Sequence, residues 1–338
     1  MLNIFPTVQD TQPPAIEIKS LSKEYGRGQH VVQAVKNIHL TVPAGQVFGF
    51  LGANGAGKTT TIKMICGLIT PTTGRICING YDVARERAMV MRQIGAVLEG
   101  TRNIYWRLSA WQNLMYFGRL KGCPRKAMIT RAERLLQELD LWDRRYDPVR
   151  LFSRGMQQKV AIACALITDP PIVLLDEPTL GLDIQAARTV KEWIARLVNE
   201  QGKTVILTTH QLDMAQELCH RVAIMRKGTL LADQPLAELL HLFRQEYYQI
   251  KVQGLLTHSL PEQYQNFTLK TDDTTTLLSG PVDQQSALYG LLSHVSQLGL
   301  PLISVERAEP NLEEVFVHLI ETGRKEENDE KRTVGSLQ

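Results

Sequence analysis

Gly52-Ala53-Asn54-Gly55-Ala56-Gly57-Lys58-Thr59 constrains this chain more than any other stretch, because it fits the pattern GxxxxGK[ST] of a phosphate-cradling loop. The chemistry explains the spacing. Glycines let the backbone turn its N–H groups inward around an anion, Lys58 brings positive charge to β and γ phosphate oxygens, and Thr59 offers a hydroxyl to Mg²⁺. The flanks agree with the loop. Val47-Phe48-Gly49-Phe50-Leu51 is a continuous apolar run, as a strand covered on both faces requires, and a helical stretch from Thr59 to Leu68 follows, its positive N-terminal end at the anion. Gly52 to Lys58, with Thr59 and Thr60, is therefore the expected nucleotide-binding set, and the fold must contain a buried parallel strand leading through this loop into a helix.

Two further apolar runs, Ile172-Val173-Leu174-Leu175 and Val205-Ile206-Leu207, are strands of the same kind, with helical segments between them. The core is thus α/β. Ile16-Glu17-Ile18 and Ile38-His39-Leu40-Thr41-Val42 alternate instead, which predicts half-exposed antiparallel strands. From about Ser109 to Gln158 the pattern is helical, with Leu135, Leu136, Leu139 and Leu141 available for packing, and it interrupts the strand–helix alternation as an inserted helical subdomain would. After Val222–Met225 come a hairpin turn at Lys227-Gly228, a helix near Leu236–Phe243 and a β-rich stretch. Its strands are expected at Tyr248–Val252, Phe267–Lys270, Thr275–Leu278 and Ile303–Val305, with a helix near Gln284–Leu298. A closing helix would start at the Asn311 cap, with Glu314 three residues on and Leu312, Val315, Phe316 and Leu319 forming one apolar stripe. The organisation expected is a loose leader over residues 1–15, a catalytic domain over 16–235 with its helical insert at about 100–160, a small α+β domain over 236–323 and a charged tail over 324–338.

Composition narrows the partners. Thirty-eight basic against 35 acidic residues leave a formal charge of +3, too little to point to nucleic acid. Cys66, Cys77, Cys123, Cys164 and Cys219 are widely spaced without a CxxC, which suits neither a disulfide framework nor zinc and fits a reducing compartment. Nowhere does an apolar run reach the roughly 18 residues that a membrane-spanning helix needs.

The nucleotide site needs a second metal ligand on a neighbouring strand. Asp176, closing the Ile172–Leu175 run, supplies it, and Glu177 beside it is placed as general base for a water attacking the γ-phosphate. At this point the sequence resembles a known family. Leu174-Leu175-Asp176-Glu177-Pro178-Thr179-Leu180-Gly181-Leu182-Asp183 looks like the Walker B segment and D-loop of ABC ATPases, and Phe152-Ser153-Arg154-Gly155-Met156-Gln157-Gln158-Lys159 resembles the ABC signature. His210, after the next apolar strand, matches the family's switch histidine, and Tyr25, ahead of the phosphate loop, matches the aromatic that stacks on adenine.

The resemblance spans roughly Ile16 to Gln234. It implies the P-loop NTPase core of an ABC ATPase, with an antiparallel β subdomain, an inserted helical subdomain and, here, the C-terminal α+β domain. It implies ATP and Mg²⁺ as ligands, with Thr59 and Asp176 at the metal, and a head-to-tail homodimer, or a pairing with a similar ATPase, around two ATP molecules. In that dimer Ser153 and the N–H of Gly155 reach the γ-phosphate held by the other copy, His210 steadies that phosphate and the attacking water, and Asp183 links the two sites. The partner implied is a separate transmembrane permease, with the chain peripheral on the cytoplasmic face of the membrane.

Four positions depart from the family pattern. Arg154 replaces a glycine and Met156 a glutamine of the signature, as in export-type relatives, and Cys164 stands where many members have arginine, with no consequence we can assign. Glu99 falls where the Q-loop glutamine is expected, so a carboxylate joins the metal set. The stretch Ile303–Ile320, with Ala308-Glu309-Pro310-Asn311-Leu312-Glu313-Glu314-Val315-Phe316, resembles the C-terminal region of ATPases serving type-2 ABC exporters. The alternatives are an importer ATPase with a regulatory C-terminal domain and a non-transport ABC ATPase; the latter would usually add a second ATPase domain, a coiled coil or a basic surface. Arg102, Tyr105, Trp106 and Arg107 occupy the stretch that in this family receives the permease, and either face that partner or pack within the helical insert.

Overall fold

The structure, a computed structural model, describes residues 13–26, 30–100 and 103–242 and, with short interruptions, residues 246–319. The chain divides into two compact units, Met1–Leu236 and Ala237–Gln338.

In the first unit β1 (Ile16–Tyr25) and β2 (Val32–Val42) pair antiparallel, then β3 (Val47–Leu51) leads into the phosphate loop and α1 (Lys58–Ile65). β4 (Thr73–Ile78) and the short β5 (Tyr81–Asp82) complete a four-stranded sheet in the order β2-β1-β4-β5. α2 (Arg87–Gln93) precedes β6 (Ile94–Val97). The helical insert follows as α3 (Ala110–Leu120), α4 (Arg125–Glu138) and α5 (Arg154–Leu166). The alternation then resumes with β7 (Ile172–Asp176), α6 (Ile184–Asn199), β8 (Thr204–Thr209), α7 (Leu212–Leu218), β9 (Arg221–Arg226) and β10 (Thr229–Pro235).

A six-stranded sheet in the order β10-β9-β3-β8-β7-β6 results, parallel except for β10. The α/β core, the antiparallel sheet and the helical insert expected from the sequence are all present. Every residue of β3, β7 and β8 is buried, which is why the runs Val47–Leu51, Ile172–Leu175 and Val205–Leu207 within them are apolar without alternation. Crossing helices cover the sheet: Val190, Trp193, Ile194, Leu197 and Val198 of α6 are buried at helical spacing. The turn Lys227-Gly228 takes both residues at positive φ, 46° and 85°, as a two-residue hairpin of matching twist requires.

Local chemistry explains where the insert begins. Ser109 and Gln112 form a reciprocal capping box at α3, the backbone N–H of Gln112 donating to Ser109 Oγ at 3.1 Å and that of Ser109 to Gln112 Oε1 at 2.9 Å. Such a cap stabilises a helix by about 1 kcal/mol. Leu135, Leu136, Leu139 and Leu141 are buried as expected. Arg131 of α4 ties the insert to the core, donating to Ile167 O at 2.8 Å and pairing with Asp169, which also accepts from Lys203 Nζ at 2.6 Å.

α8 (Leu236–Leu242) follows β10. The second unit contains β11 (Glu246–Gln253), β12 (Thr268–Thr271), β13 (Thr275–Val282), α9 (Gln285–Gln297) and β14 (Leu302–Arg307), its antiparallel sheet running β12-β13-β11-β14. Ile250, Val252, Leu278, Leu291 and Val295 are the centre of its core. Leu312 and Val315 are helical and buried, whereas the expected Asn311 cap and Glu314, the first twelve residues and the charged tail lie outside the described residues.

Candidate active site

Three glycines shape the loop that β3 delivers. Gly52, Gly55 and Gly57 have φ of 151°, 80° and 107°. A Cβ on Gly52 would stand 2.4 Å from Met225 O, and one on Gly57 2.6 Å from Ala34 O, so neither position tolerates a side chain. Gly55 faces open space, and Ala53, Asn54 and Gly55 are exposed at the loop's mouth. Gly228 N donates to Ala56 O at 2.9 Å and anchors the loop's base to the β9–β10 turn. Gly57 precedes α1 with no side-chain cap, leaving the helix's positive end, with Thr59 and Thr60 in its first turn, directed at whatever the loop holds. Lys58 is buried, and its ammonium donates to Gly52 O at 2.6 Å and Ala53 O at 3.3 Å. Burial lowers its pKa, opposed by the nearby carboxylates of Glu177, Asp176 and Glu99. Three acids from two other loops therefore converge on this lysine.

The parallel register of β7 and β8 sets the first two of them. Asp176 pairs with Thr208, is 2% exposed, and has each carboxylate oxygen held by one donor: the Thr208 hydroxyl on Oδ1 and the Glu99 N–H on Oδ2 at 3.3 Å. Glu177, the next residue, takes a left-handed backbone (φ 50°), and its N–H donates to Thr208 O at 3.1 Å and Thr208 Oγ1 at 3.2 Å. Its Oε1 lies 2.9 Å from His210 Nδ1. A carboxylate only accepts, so Nδ1 carries the proton of this bond. Thr179 Oγ1 donates to Gln211 Oε1 at 2.9 Å, and Gln211 N to Thr209 Oγ1 at 2.9 Å, bracing the histidine's loop. Asn103 clasps the loop that carries Glu99. Its Nδ2 donates to Leu98 O at 2.7 Å and Gly100 O at 3.0 Å, and its Oδ1 accepts from Leu98 N at 3.3 Å.

Sequence reasoning passed over Thr208, Asn103, Thr179 and Gln211. For Thr208 a signal existed: a polar residue in an apolar strand, two before His210. The clasp of Asn103 left no comparable trace.

The signature and D-loop residues form a second group. Ser153 caps α5 by accepting from Met156 N at 3.3 Å, and Asp183 caps α6 by accepting from Ala186 N at 2.8 Å. A Cβ on Gly155 would stand 2.7 Å from the Ala186 side chain, so a glycine is what lets these two helix starts meet. Among the described residues no hydrogen bond joins Ser153, Gly155 or Asp183 to the phosphate loop. Arg154 lays its guanidinium over Gly181 and joins Glu99, Asp176 and Glu177 around a cavity of about 100 Å³. Tyr25 stands exposed with Lys23 Nζ 5.1 Å from its ring centre. Tyr105 and Trp106 are about half exposed, 49% and 46%, yet Tyr105 also packs edge-on against Tyr116 and stacks on Phe117. Tyr105 thus packs within the helical insert while keeping an exposed side; Arg102 lies outside the described residues.

A glycine cradle, a helix N-terminus and a buried ammonium bind phosphate; a fixed carboxylate and a hydroxyl are hard oxygen donors of the kind Mg²⁺ takes with phosphates; a carboxylate paired to histidine can orient and deprotonate water. Since each oxygen of Asp176 has a single donor among the described residues and keeps a lone pair beyond it, the residues present fit such a cation.

Comparison with known proteins points the same way. The sequence family described as ABC transporter matches residues 35–180, and a domain of unknown function matches residues 247–306. The chain is 41% identical over 216 residues to the ABC transporter ATP-binding protein NatA of Bacillus subtilis, covering 64% of this chain and 87% of that one. It is 32% identical over 320 residues to the linearmycin resistance ATP-binding protein LnrL of the same organism, covering 91% and 98%. Among solved structures it is similar to the ATP-binding cassette MJ0796, a dimer in a post-hydrolysis state bound to ADP and Pi, with TM-score 0.60 and 27% identity over 65% of this chain and 98% of that one.

Proposed function

Because this chain belongs to the ATP-binding proteins of ABC transporters and is an ATP hydrolase, we propose that it powers export through a separate transmembrane permease by dimerising around ATP. One observation carries the mechanism: Lys58, Asp176, Glu177, Glu99 and His210, drawn from four loops, converge on the end of β3. The loop N–H groups and Lys58 bind the β and γ phosphates, and Tyr25 stacks on adenine. Thr59, Asp176 and Glu99 would hold Mg²⁺, which when bound offsets phosphate charge. Glu177 accepts the proton of the attacking water, and His210, through Nδ1, fixes the carboxylate that does so. Ser153, Gly155 and Asp183 belong to the same machinery once a second copy arrives. Their helix starts sit side by side at the surface, as a pole that a γ-phosphate on the opposite copy would meet; the dimeric state of the MJ0796 cassette supports this arrangement.

Export is supported by the alignment with the linearmycin resistance protein, which runs through both units rather than the catalytic one alone. The chain sits, in this reading, peripherally at the cytoplasmic face on its permease, as befits an ATP-binding protein of an ABC transporter; no helix among the described residues is long and apolar enough to cross a membrane. Tyr105 and Trp106 offer that partner exposed aromatic surface.

The test is Glu177→Gln. Turnover falls by about 10²–10⁴, the range for a lost general base, while ATP binding persists and an ATP-bound dimer accumulates on size exclusion with Mg²⁺. Hydrolysis at the wild-type rate removes Glu177 from the mechanism. Co-purification of the tagged chain with a polytopic membrane protein tests the partner, and ribosomes in its place would refute it.

A further inference from the structure

Thr208 has no side-chain surface in contact with solvent, and a hydroxyl so placed must find its partners inside the protein. It has one proton to give and lone pairs to receive. The proton goes to Asp176 Oδ1, and the N–H of Glu177 donates to Oγ1 at 3.2 Å. Both contacts fall on the two acids of the site. Its neighbour Thr209, equally buried, turns elsewhere and accepts from Gln211 N. The parallel register explains the difference, since Asp176 and Thr208 are directly paired across β7 and β8 and so share a face of the sheet.

The arrangement is more specific than hydrogen-bond satisfaction requires. Asp176 rotates about its side-chain bonds unless both oxygens are held, and among the described residues Thr208 and the Glu99 N–H are the donors that hold them. Glu177 sits at φ 50°, a backbone that non-glycine residues rarely adopt, and its N–H is kept there by the carbonyl and hydroxyl of the same threonine. One side chain therefore sets the aim of the carboxylate at the metal position and braces the backbone of the base.

We propose that Thr208 is a positioning residue for hydrolysis, its hydroxyl bridging Asp176 and Glu177 so that the two act from fixed, mutually aligned positions. This rests on reading Asp176 as metal ligand and Glu177 as base. Thr208→Val keeps shape and volume and removes the bridge. Outer-shell partners of metal ligands typically govern 10–100-fold in metal affinity or activity, and an effect of that size is expected here.

The experiment uses the full chain and two readouts. Mn²⁺ is titrated with a non-hydrolysable ATP analogue present, free ion being read by electron paramagnetic resonance, and nucleotide affinity is measured separately without metal. Thr208→Val weakens Mn²⁺ binding about 10–100-fold, lowers kcat more than it changes KM, and leaves metal-free nucleotide affinity within about twofold, which also reports a folded site. Thr208→Ser, which retains the hydroxyl, recovers most of the loss. If valine does not fold, Thr208→Ala against Thr208→Ser gives the same contrast. Equal Mn²⁺ affinity in valine and wild type overturns the proposal, and so does a serine variant as impaired as the valine, because packing of the methyl group would then be the cause. Asp176→Asn separates the two levels: Mn²⁺ affinity unchanged in that variant defeats the metal-ligand reading itself, whereas loss there with none in Thr208→Val defeats only the role of Thr208.

Discussion

Gly57→Ala tests whether the phosphate loop is built as tightly as its geometry implies. At φ 107° an alanine leaves the favoured backbone regions, which costs about 1–2 kcal/mol. Its Cβ would also stand 2.6 Å from Ala34 O and 3.3 Å from Met225 Cε. The first of these is backbone of β2 and cannot swing aside, so relieving it shifts the loop or the strand, at a cost of about 1–3 kcal/mol for overpacking. Together the two effects reach about 2–5 kcal/mol. Gly202, in the turn between α6 and β8, is the control: its φ is 62°, but a Cβ there meets nothing within 4 Å, so only the backbone cost applies. Urea denaturation of both variants measures the difference directly. Where the strain is relieved by moving the loop, it appears instead as lost affinity for a fluorescent ATP analogue, at tenfold per 1.4 kcal/mol, or about 30-fold to several thousand-fold. The reasoning is refuted if Gly57→Ala is no less stable than Gly202→Ala and also binds the analogue as wild type does.

Two other outcomes follow from the site and its surroundings. A like charge about 4 Å from a phosphate oxygen costs on the order of 4 kcal/mol at an effective dielectric of 20, so Glu99 is tolerable there only with a cation between; Glu99→Gln should raise the Mg²⁺ concentration needed for ATP hydrolysis at saturating ATP without changing metal-free nucleotide affinity, and superimposable Mg²⁺ curves would dismiss the role. His220 accepts the Val47 N–H on Nδ1 at 3.2 Å and has its pKa lowered by partial burial of the ring. The neutral ring is thus favoured in the folded protein, and its contribution to stability is present above about pH 6.5, the ordinary histidine value, and is lost as pH falls through the lower folded value. His220→Asn, which keeps an acceptor but not the titration, should flatten the decline of Tm between pH 7 and pH 5, and an identical decline in both proteins would count against this.

Legibility in the sequence followed the range of the interaction concerned. The phosphate loop was readable because glycines with special φ, a lysine and a hydroxyl are all needed within eight consecutive residues. The buried strands were readable because burial on both faces excludes polar residues from a short run, and the insert because its leucines recur at helical spacing. Asp176 and Glu177 could be nominated from their place at the end of such a run. Asn103 could not, since its role lies in a loop whose clasp is made by an amide and three backbone groups with no regular spacing. Tyr105 resisted a single reading because its ring packs on Tyr116 and Phe117 and is still about half exposed.

The sequence by itself determined the α/β core, the loop that must hold phosphate and the acids available to it, because glycine backbone freedom, apolar runs and helical periodicity are all properties of consecutive residues. Only the tertiary structure decided that Thr208 stands opposite Asp176, that Glu177 meets His210, and that the starts of α5 and α6 touch at Gly155 and Ala186. Those pairings join residues some 30 positions apart, and a one-residue slip between β7 and β8 would turn Thr208 to the other face while leaving every local pattern unchanged.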